Sequence, residues 1–432
     1  MKVLKNLLDG TNHITMLNNY KISVIGLGYV GLPLTLALSK HYDVVGYDID
    51  NVRISDLKHG IDITGEGSTK KINKAKVLFT NNKEDLKKCN IFIVTVPTPV
   101  NKFNKPDLDN IIKASETIAN YIKKNSTVIY ESTVYPGCTE DILIPIIEKK
   151  TKLKINKDFF AGYSPERIDP GLSKYKLNNQ TKIISGSSPR ALKTLKNIYS
   201  KITNKKIYVA EDIKTAEAAK IIENTQRDIN IAFVNELSML FHKLKINTQE
   251  VLNAANTKWN FANFKPGLVG GHCIGVDPYY LQYKAIRSGL RPHVISSGRK
   301  VNDSISKFIF RETLKIAKKK RKNKILFLGV TFKEDCNDTR NSKALELLKF
   351  FKKKNKVEIF DSVVNKTVLN KFHSIKTINK FKKNYYDIIV IAVPHKKIKN
   401  FSIKFLRSLG NNNSIIIDIK SIFPKKMVEW QL

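Results

Sequence analysis

Apolar residues along this chain fall into short unbroken runs punctuated by glycine, acidic or turn residues. Residues 21–27, KISVIGL, read as a strand buried on both faces that runs into glycine. A helix is predicted over 31–39, and a second strand over 42–47 that ends at Asp48. Further apolar strands are predicted over 91–96 and 127–131, each followed by turn residues. Strands alternating with helices imply a parallel, doubly wound sheet. From 215 to 256 the pattern turns helical, with no strand signal. Ala216, Ala219, Ile222 and Ile229 fall at helical spacing and predict one long helix there. Strand–helix alternation returns at KILFLGV (324–330), KVEIFD (356–361), DIIVIAV (387–393) and SIIIDI (414–419). The expectation is an α/β chain: two Rossmann-like doubly wound domains joined by a long central helix. Its divisions are an extension over 1–20, a first α/β domain over 21–210, a central helical domain over 211–310 and a smaller α/β domain over 311–432. No repeat of 20–50 residues is evident beyond the general likeness of the two α/β halves.

Composition supports buried cores: 42% of the 432 residues are hydrophobic, too many for broad disorder and enough for two or three domains. Charge complicates the picture, because 76 Lys plus Arg stand against 38 Asp plus Glu, a formal +38. One reading is binding to nucleic acid or an anionic membrane. The other is a bias towards Lys, Asn and Ile that leaves solvated lysines on many surfaces. The basic runs are scattered, at Lys318–Lys322, Lys352–Lys354 and Lys382–Lys383, and no zinc finger or aromatic RNP pattern accompanies them. The second reading is therefore preferred: no nucleic-acid partner is expected, although a positive field would help attract a diphosphate. No apolar run reaches about 18 residues, so no membrane partner or span is expected. Residues 1–20 lack the apolar stretch of a signal peptide, and Met16 stands just before the first strand, so 1–15 read as a dispensable extension. Cys89, Cys138, Cys273 and Cys336 have no metal-pair or redox-pair spacing, so no metal is expected and a reducing cytoplasm is the default compartment.

Gly26-Leu27-Gly28-Tyr29-Val30-Gly31 is G-x-G-x-x-G between a strand and a helix. Gly26 permits the tight turn, Gly28 lets backbone approach a pyrophosphate, and Gly31 lets helix and strand pack closely. The helix N-terminus then presents N–H groups and a positive dipole end to the anion. Asp48 lies about 20 residues on, at the end of the second strand. A carboxylate there accepts from ribose hydroxyls and repels a 2′-phosphate, which favours NAD over NADP.

The segment 264–280, FKPGLVGGHCIGVDPYY, surrounds Cys273 with four glycines and two prolines inside a helical region. Glycines there permit unusual backbone angles and close approach of a substrate. A cysteine nucleophile suits aldehyde oxidation through a thiohemiacetal and a thioester. An inert buried cysteine is the commoner fate of this residue type, and the local sequence leaves both readings open. A two-electron hydroxyacid dehydrogenase would share the first domain but needs neither this loop nor the second α/β domain.

The chain resembles the UDP-glucose/GDP-mannose dehydrogenases from Lys21 to about Leu406. The resemblance is carried by the G-x-G-Y-V-G start, Glu131-Ser132-Thr133-Val134, Ser164-Pro165-Glu166-Arg167, Lys220 with Asn224, Gly270-Gly271-His272-Cys273 with Asp277, and Gly329-Val330-Thr331-Phe332-Lys333 with Asp338-Thr339-Arg340. Within the family it looks most like the branch acting on UDP-N-acetylhexosamines. The pointers are Gly-Gly-His-Cys in place of Gly-Gly-Ser-Cys, Val276-Asp277-Pro278-Tyr279-Tyr280 after the cysteine, and Ser164 to Ile168 in place of the Asn-Pro-Glu-Phe type. The resemblance implies an NAD-dependent four-electron oxidation at carbon 6 of a UDP-N-acetylhexosamine, for surface polysaccharide biosynthesis. UDP-glucose and UDP-N-acetylmannosamine are the alternative substrates. It implies Cys273 as nucleophile, Lys220 and Asn224 as oxyanion stabilisers on one helix face, and Asp277 as a group that orders water or accepts a proton. Glu166 and Thr133 would position the hydrolytic water, unless Glu166 merely pairs with Arg167. Phe332 and Lys333 would hold the uracil and diphosphate end, and Arg340 and Arg299 would contact substrate phosphate or sugar, either within the subunit or across a subunit interface. His272 is read as a branch marker with substrate contact, not as the base. The expected cofactor set is Gly26, Gly28, Tyr29, Val30, Gly31, Asp48, Arg53, Thr98 and Thr133. The expected substrate set is Glu166, Arg167, Lys220, Asn224, Phe264, Gly270, His272, Arg299, Phe332, Lys333 and Arg340. A homodimer through the central helix is also implied.

Overall fold

The computed structural model describes residues 20–167, 179–317 and 322–432. The expected extension over 1–15 with Met16, Ile168 of the branch motif, and Lys318–Arg321 of the first basic run lie outside the described residues. The chain packs as two units, one ending at Ile221 and the other beginning at Ile222.

The first unit is built on an eight-stranded sheet in the order β3-β2-β1-β4-β5-β6-β7-β8. Its strands are β1 (Lys21–Ile25), β2 (Asp43–Tyr47), β3 (Val77–Thr80), β4 (Ile91–Val94), β5 (Thr127–Tyr130), β6 (Phe160–Tyr163), β7 (Lys182–Gly186) and β8 (Ile207–Val209). β1 pairs in parallel with both β2 and β4, so the strand order reverses beside β1, at the crevice where such sheets take ligands. The strands read as continuous apolar runs because both faces are covered. Ile22, Val24, Ile93 and Ile129 pack with Leu32 and Leu38 of the helix Gly31–Leu38. The sheet departs from the all-parallel expectation at one place, where β7 runs antiparallel to β6, with Gly162 opposite Gly186 and Tyr163 opposite Ser185. The start of β7 is thereby brought to the edge where β5 and β6 end.

The second unit carries a five-stranded, all-parallel sheet ordered β10-β9-β11-β12-β13. These strands are β9 (Lys324–Leu328), β10 (Lys356–Phe360), β11 (Tyr386–Ile391), β12 (Gly410–Asp418) and β13 (Trp430–Gln431). Successive β9 residues point to opposite faces. Ile325 and Phe327 pack with Leu348 and Phe351 on one side, and Leu326 and Leu328 with Ile389 and Leu406 on the other. Each such buried side chain contributes about 1.5–3 kcal/mol.

One helix, Ile213–Leu244, runs from the first unit into the second; its 32 residues make it about 48 Å long. The single helix expected over 215–256 is in fact two. Lys245 takes φ +60°, and Asn247 caps a new helix, Thr248–Ala255, by accepting from the Gln249 and Glu250 N–H groups. An Asx cap offers the backbone N–H groups a partner that a continuing helix would not need. Two further helices matter for the site, Asp277–Arg287 and His293–Ile316. Among the described residues no helix is long and apolar enough to cross a membrane.

Candidate active site

In the first unit, β1 ends in a turn whose atoms leave little choice of residue. Gly26 has φ +96°, and its N–H donates to Tyr47 O at 2.9 Å. A Cβ on Gly31 would stand 1.8 Å from Gly26 O, whereas one on Gly28 would meet nothing within 4 Å. The turn is therefore closed behind by Gly31 and open in front at Gly28, as close approach of a pyrophosphate requires. Tyr29 and Val30 complete it, and Val30 O accepts the Leu34 N–H. Asp48 Oδ2 accepts the Leu27 N–H at 2.7 Å and Oδ1 the Asp50 N–H at 3.0 Å, leaving the carboxylate half-buried beside the turn. This donor and acceptor set fits a dinucleotide. Arg53 is buried: its Nε donates to Leu27 O at 2.9 Å, and its guanidinium pairs with Asp62 at 2.8 Å. It braces the turn through the backbone. Thr98 Oγ1 donates to Thr133 O at 2.7 Å, so these two expected cofactor residues meet beyond the ends of β4 and β5.

At the next strand ends lies a buried polar array. Lys182 Nζ is 2.8 Å from Glu131 Oε2 and 3.4 Å from Glu166 Oε2, and Tyr199 donates its hydroxyl to Glu131 Oε1 at 2.5 Å. Glu166 Oε1 accepts the Arg167 N–H at 2.6 Å, and the Arg167 guanidinium donates to Thr181 O at 3.1 Å. Burial alone would favour a neutral Lys182, but Glu131 and Glu166 outweigh it and hold the ammonium above the ordinary lysine value. Sequence reasoning missed Lys182, since a lysine at the start of a short strand reads as a surface charge. It also missed Glu217 on the long helix, which accepts the Gly137 and Thr139 N–H groups and so holds the loop after Thr133. Burial pushes Glu217 up to about 7.

The second unit presents Cys273. Cys89, Cys138 and Cys336 are buried and Cys273 is half-buried; burial pushes the Cys89 thiol up to about 11. Asparagine clamps one end of the Cys273 loop. Asn235 accepts the Gly267 N–H at 2.7 Å and donates to Gly267 O at 3.0 Å. A Cβ on Gly267 would stand 2.5 Å from Lys420 Nζ. At the other end Cys273 O accepts the Val276 and Asp277 N–H groups, starting the helix Asp277–Arg287. The middle of the loop lies against the turn after β9. A Cβ on Gly270 would be 2.4 Å from Asn341 O, and one on Gly271, which has φ +90°, would be 2.7 Å from the Phe332 ring. His272 faces the same turn, its ring edge-on to Phe332 at 5.8 Å and its Nδ1 accepting from Arg340 at 3.3 Å. Arg340 in turn grips Asp338 with Nε at 3.0 Å. Phe264 and Lys333 are half-buried.

Asp277 is buried at the first position of its helix and accepts from Asn224 Nδ2 at 2.6 Å, so these two expected residues meet directly. Lys220 precedes Asn224 by one turn of the long helix and is buried. Arg299 has a different neighbourhood from the phosphate or sugar contact expected of it. It is buried against Asp228 at 2.5 Å and Asp303 at 2.6 Å, with its guanidinium 5.3 Å from the Tyr279 ring centre. It thus ties together the elements that carry Asp277 and the long helix. The turn after β9 repeats the construction of the first unit: Gly329 has φ +84°, and Val330 N–H donates to Asp361 Oδ2 at 2.8 Å. Here the carboxylate is buried and also accepts from Val363, Val364 and His395. Among the described residues no cluster of His, Cys, Asp or Glu is placed to hold a metal ion.

Three family models match the chain in order. The NAD binding domain of the UDP-glucose/GDP-mannose dehydrogenase family matches 20–203, its central domain 214–304 and its UDP binding domain 326–425. The chain is 43% identical over 422 residues to the UDP-N-acetyl-D-glucosamine 6-dehydrogenase of Salmonella typhi, covering 96% of this chain and 99% of that one. Identity to the Pseudomonas aeruginosa protein of the same name is also 43%, over 96% and 100%. The solved structure of a UDP-D-ManNAc dehydrogenase from Pyrococcus horikoshii superposes with a TM-score of 0.85 at 32% identity, covering 95% of this chain and 98% of that one.

Proposed function

Since the chain belongs to the UDP-glucose/GDP-mannose dehydrogenase family and is an NAD-dependent nucleotide-sugar dehydrogenase, we propose that it oxidises UDP-N-acetylglucosamine at carbon 6 to the uronic acid, with Cys273 as the covalent nucleophile. The observation that carries this reading is Cys273 itself: a half-buried thiol held in a clamped glycine loop, while the other three cysteines are buried. The choice of sugar rests on the 43% identity to the two UDP-N-acetyl-D-glucosamine 6-dehydrogenases. Likeness to the Pyrococcus horikoshii protein, at lower identity, makes UDP-N-acetylmannosamine the second substrate to test.

NAD+, when bound, takes up one hydride in each of the two oxidations. Cys273 Sγ adds to carbon 6 of the aldehyde formed first; the thiohemiacetal then becomes a thioester, which water cleaves to carboxylate and thiol. Lys220 and Asn224 stabilise the oxyanion at each stage. Asp277 fixes the Asn224 amide through their hydrogen bond. Glu166 takes a proton from the hydrolytic water, which Thr133 helps to place. Phe332, Lys333, Phe264, Gly270, His272, Arg167 and Arg340 contact the UDP-sugar, and Arg299 supports the site from behind. The division at 21–210, 211–310 and 311–432 follows as NAD-binding, central and UDP-sugar-binding segments. A homodimer through the long helix is supported by exposed Ile222, Phe233, Leu240 and Leu244 on it. The setting is a cytoplasmic supply of uronic acid for surface polysaccharide.

The test is purified protein with NAD+ and a panel of UDP-sugars, followed at the NADH absorbance. Two NADH per sugar are expected, with UDP-N-acetylglucosamine turned over fastest. One NADH with release of free aldehyde overturns the mechanism, and faster turnover of UDP-glucose overturns the substrate. Cofactor choice is tested at Asp48. Asp48→Asn keeps an acceptor for the Leu27 N–H, gives up the one that meets the Asp50 N–H, and removes the charge that repels a 2′-phosphate. NAD+ binding should weaken by roughly tenfold to a hundredfold, the worth of about 1.5–3 kcal/mol in charged hydrogen bonds, and the preference over NADP+ should narrow. Equal use of both cofactors by the native protein removes Asp48 from this role.

A further inference from the structure

Building on the reading of Glu166 as the acceptor of a proton from the hydrolytic water, we propose that Lys182 is the positioning residue for thioester hydrolysis, holding the Glu166 carboxylate in its working orientation from a buried array with Glu131 and Tyr199. The topology makes this possible. Because β7 is antiparallel to β6, its first residue, Lys182, lies beyond Tyr163 at the edge where β5 and β6 end. That edge carries Glu131 directly after β5 and Glu166 just after β6. A parallel β7 would put Lys182 at the opposite edge of the sheet.

The ammonium has three donors, and three oxygens face it: Glu131 Oε2 at 2.8 Å, Pro165 O at 3.4 Å and Glu166 Oε2 at 3.4 Å. Tyr199 closes the far side by donating to Glu131 and placing its ring centre 5.1 Å from Lys182 Nζ. The Lys182 side chain is 7% exposed, Glu131 0% and Glu166 10%. Two carboxylates thus share one buried cation. For stability alone this is a poor design. A buried ion pair is commonly no better than apolar residues of like volume, and a second carboxylate adds desolvation and repulsion. Such an array at the ligand edge of a sheet makes sense if one carboxylate must be held in a fixed orientation. Glu131 is the one gripped most closely, by Lys182 and Tyr199. Glu166 is held at Oε1 by the Arg167 N–H and at Oε2 by Lys182, which sets the plane of its carboxylate.

In the step served, the water oxygen bonds to the acyl carbon, the carbon–sulfur bond breaks and sulfur leaves as thiolate. One water proton passes to Glu166 and on to solvent, and the other leaves with ionisation of the uronic acid. No oxidant enters this step, so a fault at Lys182 should spare both oxidations and slow only the release of product.

The test follows NADH formation before and during the steady state in the native protein, Lys182→Met, Lys182→Arg and Glu166→Gln. Intact mass reports any sugar acyl group retained on the protein. Lys182→Met should give a fast burst of two NADH per active site, an accumulated acyl-enzyme and a steady rate lower by about ten- to a hundredfold, with KM for the UDP-sugar little changed. Lys182→Arg, which keeps the cation, should recover much of that loss. Because Lys182→Met strands two buried carboxylates, the double variant Glu131→Gln/Lys182→Met is measured beside it and should show the same burst and slow release. A Glu166→Gln protein with a native steady rate overturns the role of Glu166 and this inference with it. If Glu166→Gln accumulates acyl-enzyme while the Lys182 variants release product at the native rate, only the inference about Lys182 fails. Burst and steady rate falling together in the Lys182 variants would show structural support alone and overturn it too.

Discussion

The Cys273→Ser protein is expected to fold and to bind NAD+ while forming carboxylate at least about a thousandfold more slowly, the scale of loss when a covalent nucleophile is removed. Sulfur-to-oxygen exchange at a half-buried loop residue removes little packing, and the loop's anchors are backbone groups: Gly267 on Asn235, and Cys273 O on the Val276 and Asp277 N–H groups. The glycine turn of the first unit is far away in sequence and untouched. Serine is a weak nucleophile without a base to activate it, so the protein should stall at the aldehyde or hold a stable ester visible by mass. Alkylation gives an independent reading. Cys89, Cys138 and Cys336 are buried, so a thiol reagent should modify Cys273 first, and bound UDP-sugar should block it. Near-native carboxylate production by folded Cys273→Ser would refute covalent catalysis, leaving Cys273 a small packing residue in a loop.

The parts of the fold legible in the sequence are those where one local rule acts alone. KISVIGL and KILFLGV are buried on both faces, so their apolar runs announce β1 and β9 without help from neighbours. The glycines of the first turn were readable because each does a separate steric job, and Asp48 because strand-end acids recur at that distance. VLFT, FAGY and KIISG are no shorter than some strands that the sequence does announce, but in them and in IYV lysine, threonine, serine, glycine or tyrosine interrupts the apolar run, so no continuous apolar signal marks them. The direction of β7 was equally hidden. Nothing within Lys182–Gly186 says that it runs against β6, and that direction is what brings Lys182 to Glu131, 51 residues away. Arg299 shows the converse difficulty. The resemblance assigns it a ligand contact, and nothing local announces that its buried guanidinium also meets Asp228, 71 residues earlier. The break after Leu244 depended on the Asn247 cap, a local signal present in the sequence but outweighed there by the apolar spacing around it. The second strand-end acid, Asp361, stood in plain view in KVEIFD. Its full use by Val330, Val363, Val364 and His395 belongs to the folded loop alone.

The glycine turn yields the second large effect, by separating what the fold needs from what the cofactor needs. Gly31 lies in a helix, where alanine is ordinarily better by about 1 kcal/mol. Its Cβ, however, would stand 1.8 Å from Gly26 O and 2.6 Å from Thr95 Oγ1. Backbone cannot yield as the tip of a side chain can, so Gly31→Ala must push the helix off β1. About 3 kcal/mol or more should be lost, which for a unit of this size lowers the midpoint of unfolding by roughly 6–12 °C. Gly28→Ala should do the opposite. A Cβ there meets nothing within 4 Å, so the methyl costs no native contact while reducing the freedom of the unfolded chain. Stability without cofactor should rise by about 0.4–1 kcal/mol. The same methyl occupies the space a pyrophosphate must approach, and NAD+ binding should fall by about a hundredfold, or ~2.7 kcal/mol. Calorimetry with and without NAD+ reads both effects. The native protein should gain stability on adding NAD+, Gly28→Ala should start at or above the native midpoint and gain almost nothing, and Gly31→Ala should start well below it. A Gly28→Ala protein that NAD+ stabilises as it does the native one would place the cofactor elsewhere. A Gly31→Ala protein with the native midpoint would show that the helix and β1 need not pack as closely as this turn has them.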